Sequence, residues 1–375
     1  MEVLKFSCVS GLNSGDDLIS YVIEEEFKVE HSIKSLDIMG LKFDLKSRIN
    51  SKNIHKVPRN NKYRNHLAGF IRWCDYRLNH RNKFISAIKS SELVIIGGGQ
   101  IIDDSATGHM LYRIMDIIKI CHSLHVPVII SFVGVSQLSS KNFNKLKKLA
   151  PYLEKFCVRD SKSLIRLKEN NINARVTNLI ADPVFNISKW VDLKNTDIKY
   201  IGVNIMNLNA VIGVEDQSLE TCSRNLIKIA LELDLGVRLI LTSFGQDLDM
   251  ARILENHFKN ANYPIDIKFV TTPESVTEAY SGVEIMLSHR MHSSIIAMSY
   301  GIPCLAYNWH TKVEGLEKLV NSESSILKIH QDINFESHLL LENAKALILQ
   351  KNNNEFDLNN IKSDIDNYFA EIIKR

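Results

Sequence analysis

The sequence predicts an α/β protein of two lobes, each built on a parallel sheet covered by helices. At 375 residues the chain is too long for one ordinary core and fits two lobes of common domain size. Short β-branched apolar runs alternate with longer segments of helical period, as buried parallel strands and their crossover helices require. The series also runs through twice, restarting after Asp182-Pro183 and Trp190.

In the first half the expected strands are Val3–Val9, Leu93–Ile96, Val128–Val133, Phe156–Val158 and Ala174–Leu179. Helices are expected over Asp17–Phe27, Met110–His125, Lys141–Leu149 and Ser161–Lys168. The second half offers strands at Tyr200–Ile205, Arg238–Thr242, Ile267–Val270, Glu284–Ser288 and Cys304–Tyr307. Its helices include Leu219–Leu233, Leu248–Phe258, Pro273–Ser281 and Ser293–Tyr300. The tail from Phe335 reads as two further helices, one of them a candidate to pack back across the lobes. The expected division is 1–186 and 187–375, two Rossmann-like lobes facing each other across a cleft. Ligands in such folds collect outside the carboxyl ends of the strands, so the residues just after each apolar run carry the interest.

Composition narrows the class. Hydrophobic residues at 45% and charged residues at 24% suit a soluble globular protein. No apolar run approaches the ~20 residues that cross a bilayer. The start, Met1-Glu2-Val3-Leu4-Lys5-Phe6, lacks the basic and apolar regions of a signal peptide, so a cytoplasmic protein is expected. Six scattered cysteines without a CxxC pair read as structural thiols, not as a disulfide framework or a zinc cage.

The net charge of +3 hides an asymmetry. The segment from Lys46 to Lys89 carries 12 Lys/Arg and one acid, Asp75; removing it from the totals of 46 and 43 leaves 34 against 42, a net of −8. Tyr63, Phe70, Trp73 and Tyr76 interleave with these cations. A solvated helical face explains the run, and so does contact with an anionic partner: a phosphate-linked glycan, an acidic polymer or an anionic membrane surface. No recognised nucleic-acid-binding signature accompanies the charge, which argues against nucleic acid.

Several motifs stand at strand ends. Gly97-Gly98-Gly99 follows an apolar strand, where glycine lets the backbone approach an anion; a tight strand-to-helix turn is the alternative. The dinucleotide fingerprint fails, because Ile102 stands where the third glycine belongs. Asn13-Ser14-Gly15-Asp16-Asp17 sits between the first strand and helix, its acids placed to cap; no Gly-Lys-Ser/Thr follows, so it is not a P-loop. Arg159 ends a strand just before a helix, placed to grip a carboxylate or phosphate, or to pair with Asp160. The densest stretch is Ser288-His289-Arg290-Met291-His292-Ser293, where three ionisable side chains and two hydroxyls crowd a helix N-terminus that already attracts anions. No Glu or third histidine at ligand spacing joins His289 and His292, so no metal is expected. Lys312, after the next strand, can reach the same anion or stand exposed.

Together these residues resemble the polysaccharide pyruvyl transferase family. The resemblance rests on Asn13-Ser14-Gly15-Asp16, Gly97-Gly98-Gly99, Val158-Arg159-Asp160, Asp182-Pro183-Val184-Phe185, Ser288-His289-Arg290-Met291-His292 and Gly301-Ile302-Pro303 with Lys312, from about residue 5 to about residue 320. Met291 replaces the leucine usual between the arginine and histidine, a swap that keeps volume and polarity.

The resemblance implies a glycosyltransferase-B-like fold, a first lobe on the acceptor side and a donor-binding second lobe. It implies phosphoenolpyruvate as donor, a sugar or glycan acceptor (phosphate-linked or lipid-linked) in exopolysaccharide synthesis, a pyruvate ketal as product, and no cofactor. It assigns Arg290 and His292 to catalysis. Arg159, Lys312, His289, Ser293, Gly98, Gly99 and Asn13 are the expected substrate contacts. The rival classes are a glycosyltransferase using a nucleotide sugar and a non-catalytic binding protein of the same fold.

Overall fold

The computed structural model describes residues 1–9, 13–38, 69, 71, 73–104, 109–209, 213, 217–320, 326–336, 338–353 and 356–374. Most of the basic segment, including Tyr63 and Phe70, lies outside the described residues. The chain groups into two compact units. One comprises Met1–Gly11, Ile19–Pro183 and Asp364–Arg375; the other comprises Leu12–Leu18 and Val184–Ser363. The grouping is therefore not a single cut near residue 186. The last helix returns to the first unit, and the residues opening the first helix group with the second.

In the first unit the strands are β1 (Glu2–Ser7), β2 (Ser32–Asp37), β3 (Leu93–Ile102), β4 (Val128–Val135), β5 (Lys155–Val158) and β6 (Val176–Leu179), in sheet order β2-β1-β3-β4-β5-β6. Every neighbouring pair is parallel. β4 is buried along its whole length and β3 at all positions but Gln100, as sequences with apolar residues on both faces require. The helix Asn359–Ile373 packs its rings on this unit. Phe132 lies 5.1 Å from Tyr368 and 5.2 Å from Phe369, and Ser131 shares a 2.7 Å hydroxyl contact with Tyr368.

The three glycines do not turn the chain from strand to helix. β3 runs straight through them to Ile102, and all three are buried. Gly98 and Gly99 adopt φ of 86° and 80°, and the register with β4 shifts between Gly99 and Ile102. Gly98 and Gly99 thus lead into a bulge inside the sheet, taking a left-handed backbone without a Cβ clash. β4 carries a matching irregularity between Ile130 and Val133, where Phe132 has φ 56°.

In the second unit the strands are β7 (Tyr200–Asn204), β8 (Gly236–Leu241), β9 (Ile265–Phe269), β10 (Val283–Ser288), β11 (Cys304–Tyr307) and β12 (Leu327–His330), in order β12-β11-β10-β7-β8-β9, again all parallel. Read from β9, this is the 3-2-1-4-5-6 order of a doubly wound sheet. Its direction of winding reverses between β7 and β10, which opens a crevice at their carboxyl ends.

All six cysteines are free, and Cys121, Cys157, Cys222 and Cys304 are buried. Burial pushes the thiols of Cys121, Cys157 and Cys222 up to about 12. No helix among the described residues is long and apolar enough to cross a membrane.

Gly98→Ala and Gly99→Ala should each lower the unfolding free energy by about 1–3 kcal/mol in urea melts, because alanine is strained at those φ values.

Candidate functional site

The crevice in the second sheet is marked by Asn204, which ends β7, and Ser288, which ends β10. From Ser288 the chain turns through His289 and Arg290 into the helix Met291–Ser299. Arg290 is the N-cap residue and offers no side-chain acceptor to the first turn. The helices opening after Asp160, Ser218 and Thr272 all have their first-turn amides capped by a side-chain oxygen. Here, as after Ser139 and Ser243, no side-chain oxygen caps the first turn, and amides at a helix start can take an anion.

Arg290 is held in place by Asp247. Its Nε and Nη2 both donate to Asp247 Oδ1 at 2.7 Å. The other carboxylate oxygen accepts from the Ser243 amide at 2.9 Å, the Thr242 amide at 3.2 Å and Asn204 Nδ2 at 3.3 Å. Asp247 is 1% exposed and Arg290 17%. A carboxylate with five donors is a strong fixed point for a guanidinium.

Hydroxyls lock the turn. Ser288 Oγ donates to the Arg290 carbonyl at 2.6 Å, and Ser294 Oγ donates to Ser288 Oγ at 3.1 Å. Ser293, fully buried, shares a 3.2 Å contact with Thr242 Oγ1, and its carbonyl accepts from Tyr280 at 3.2 Å. Its hydroxyl is therefore part of the packing under the helix start.

His292 lies in the first turn and is 9% exposed. Its ring covers Gly15: a Cβ added there would stand 2.0 Å from Nδ1. Gly15 is placed by Ser14, whose amide and Oγ donate to the Thr242 carbonyl at 2.9 and 2.7 Å, and by an isolated bridge between Asn13 and Ser243. Asn13 Oδ1 accepts from the Gly15 amide at 3.3 Å while its Nδ2 donates to Asp16 at 3.1 Å. Asn13 thus shapes the turn that presents Gly15 to His292. The second unit holds Asn13, Gly15, Asp247, Arg290, His292 and Ser293 together.

The other expected contacts have surroundings of their own. His289 is not beside Arg290's guanidinium but 1% exposed in an aromatic cluster, with ring centroids 5.3 Å from Tyr307 and 5.6 Å from Phe335. Its Nδ1 accepts from the Met206 amide at 3.4 Å. It leaves the site because neighbouring positions on an extended turn point to opposite sides. Arg159 is buried in the first unit, where its Nη1 meets Asp182 Oδ2 at 2.5 Å; Asp160 caps the following helix instead. Gly98 and Gly99 are buried in the first sheet. Lys312 is half-buried near the start of the helix Thr311–Val320, beyond β11, the strand beside β10.

Asp247 and Asn204 were missed from the sequence. Asp247 sits in the first turn of the helix Phe244–Asn260, where an acid reads as an answer to the helix dipole. Among the described residues no cluster of three or more His, Cys, Asp or Glu could hold a metal ion.

Against known proteins, the family model for polysaccharide pyruvyl transferase matches residues 13–311. No curated protein matches the chain by sequence. Among solved structures, the chain is similar to the UDP-GlcNAc 2-epimerase from Methanocaldococcus jannaschii, with a TM-score of 0.57 at 10% identity over all of both chains. It is similar also to Anabaena Alr3699/HepE, solved with UDP-glucose, with a TM-score of 0.54 at 12% identity over 99% of this chain and 100% of that one. A third is S. aureus MnaA, solved with UDP, with a TM-score of 0.54 at 11% identity over 100% and 98%. At such identities the likeness concerns the fold, which is glycosyltransferase-B-like with two parallel six-stranded sheets.

Burial pulls His289 down to about 3 and His330 down to about 4, so both rings are neutral in the folded protein. Both values are depressed from about 6.5. The resulting stability is fully present above about pH 6.5 and is lost progressively as pH falls from there, the loss being complete near pH 4 for His330 and near 3 for His289. Replacing His330 by Phe should remove about 2–3 kcal/mol of the loss between pH 7 and 4.5, measured by urea unfolding at each pH. An unchanged acid limb would place that sensitivity elsewhere.

Proposed function

Because the chain belongs to the polysaccharide pyruvyl transferase family, and so to a family of transferases, we propose that it moves the pyruvyl group of phosphoenolpyruvate onto two hydroxyls of a sugar. The single observation that carries this is the pairing of Arg290 with Asp247 at an uncapped helix start, two positions before His292. Arg290 and the amides of the first turn hold the donor phosphate. Lys312, after the next strand, is the second cation of the donor site. The reading rests on residues of the second unit alone.

His292 carries the proton. A proton delivered to the enol methylene makes it a methyl group and turns the adjacent carbon into an oxocarbenium-like electrophile. One sugar hydroxyl adds to that carbon and gives up its proton. Phosphate then leaves with the electron pair of its C–O bond and takes up a proton. The second hydroxyl closes the ketal and releases its own. One donor and one diol thus yield one ketal and one phosphate. Imidazole suits these exchanges because its ring nitrogens can both donate and accept a proton, and such acid–base help is typically worth ~10²–10⁴ in rate. The resting place of the reaction, at the carboxyl ends of β7 and β10, is where doubly wound sheets bind ligands. The protein acts, on this reading, in polysaccharide synthesis on the cytoplasmic side of the membrane.

Calorimetry with phosphoenolpyruvate tests the donor site. Arg290→Ala should weaken binding by ~2–5 kcal/mol, about 30-fold or more, while His292→Ala binds the donor normally and loses turnover. Gly15→Ala, which displaces the His292 ring, should copy the His292 variant rather than the Arg290 one. Equal donor affinity in wild type and Arg290→Ala sinks the assignment. Thermal stabilisation by UDP and not by phosphoenolpyruvate would favour a nucleotide-sugar glycosyltransferase instead.

A further inference from the structure

A second site lies wholly within the first unit, where three helical segments meet. Trp73 and Arg77 are four residues apart. Tyr112, Asp116 and Lys119 share one face of the helix His109–Ser123, and Lys145 and Lys148 share one face of the helix Ser140–Leu149. Together they line a pocket of about 320 Å³, in the range that takes small organic ligands.

The pocket has an apolar floor and a cationic wall. Trp73 and Tyr112 meet edge to face with ring centroids 6.1 Å apart, and the buried Met115 and Leu149 add apolar lining. Lys145 Nζ stands 4.7 Å from the Tyr112 centroid, and the Arg77 guanidinium 6.0 Å from that of Trp73. Among the described residues Asp116 is the one acid of the lining, and it is paired: Oδ2 accepts from Arg81 Nε at 2.8 Å and from the Tyr76 hydroxyl at 2.9 Å. Arg77, Lys119, Lys145 and Lys148 make no ion pair among the described residues. Four cations lining a pocket with aromatic rings, against one carboxylate among the described residues that is itself paired with Arg81, leave a local excess of positive charge.

We propose that this pocket binds an anionic saccharide, its C–H face against Trp73 and Tyr112 and its phosphate or carboxylate on Arg77, Lys145 and Lys148. The charge follows from the lining; the choice of a saccharide rests on the transferase reading above, and makes this an anchoring site for the acceptor. The described end of the basic segment, Trp73 and Arg77, thereby has a ligand and is not a merely solvated face.

The test is direct binding to the full-length protein, read by calorimetry and by tryptophan fluorescence. The probes are a glucuronate-containing tetrasaccharide, a neutral tetrasaccharide, glucose 6-phosphate, inorganic phosphate and a short single-stranded oligonucleotide. At least one charged saccharide should bind at least about tenfold more tightly than the neutral one and than phosphate alone, and the better of the two names the source of the charge. The double variant Lys145→Gln/Lys148→Gln, changing one half-buried and one exposed lysine, should lose about tenfold of that affinity and leave phosphoenolpyruvate binding unchanged. The proposal is overturned if the neutral tetrasaccharide binds as well, if the double variant keeps full affinity, or if the oligonucleotide binds more tightly than either charged saccharide. Saccharide binding that survives Arg290→Ala while donor binding does not occur at all would keep this site and discard the donor reading. Normal donor binding with no charged saccharide bound would do the reverse.

Discussion

A buried carboxylate organises the second unit's crevice. Asp247 collects the Arg290 guanidinium, two backbone amides from the end of β8 and the Asn204 amide group from the end of β7. Taken out of water alone, such a charge would be costly; with five donors around it, it becomes a rigid anchor. Removing either partner of the pair would strand the other in a poorly solvated place, typically at a cost of ~3–5 kcal/mol. The arginine's position is therefore set by the scaffold before any ligand arrives, which is the preorganisation that anion recognition and charge stabilisation need.

The sheet order explains why this anchor sits where it does. β7 and β10 are neighbours in space but far apart in sequence, with two strand–helix repeats between them. Their carboxyl ends separate because successive connections wind to opposite sides. Asn204 and Ser288 occupy those ends, and the first turn after Ser288 carries Arg290 and His292. The glycine at position 15 is fitted to the same place from another part of the chain, since only a residue without Cβ leaves room for the His292 ring. Two segments some 275 residues apart thus share one small piece of surface.

The first unit uses its irregularities differently. The glycines lie buried in β3 next to a bulge, and Phe132 of β4, itself left-handed, packs on rings of the last helix. Arg159, set at a strand end, pairs with Asp182. The pocket between the helices follows from helical spacing: Lys145 with Lys148, and Tyr112 with Asp116 and Lys119, recur every three to four residues on a single face.

The sequence by itself determined the two parallel sheets, since β-branched runs alternating with helical periods can be buried only between helices. It also located the helix start at Arg290 and His292, because polar ionisable residues between two apolar elements leave few other roles. It passed over β2, Ser-Ile-Lys-Ser-Leu-Asp, and the four-residue β12, because edge strands need neither continuous apolarity nor length. Tertiary structure alone decided which charges meet. His289 and Arg290 are adjacent in the chain, yet one is sealed neutral among aromatic rings and the other faces a carboxylate 43 residues away. Strand order and burial settle such pairings, and neither leaves a periodic mark on the chain.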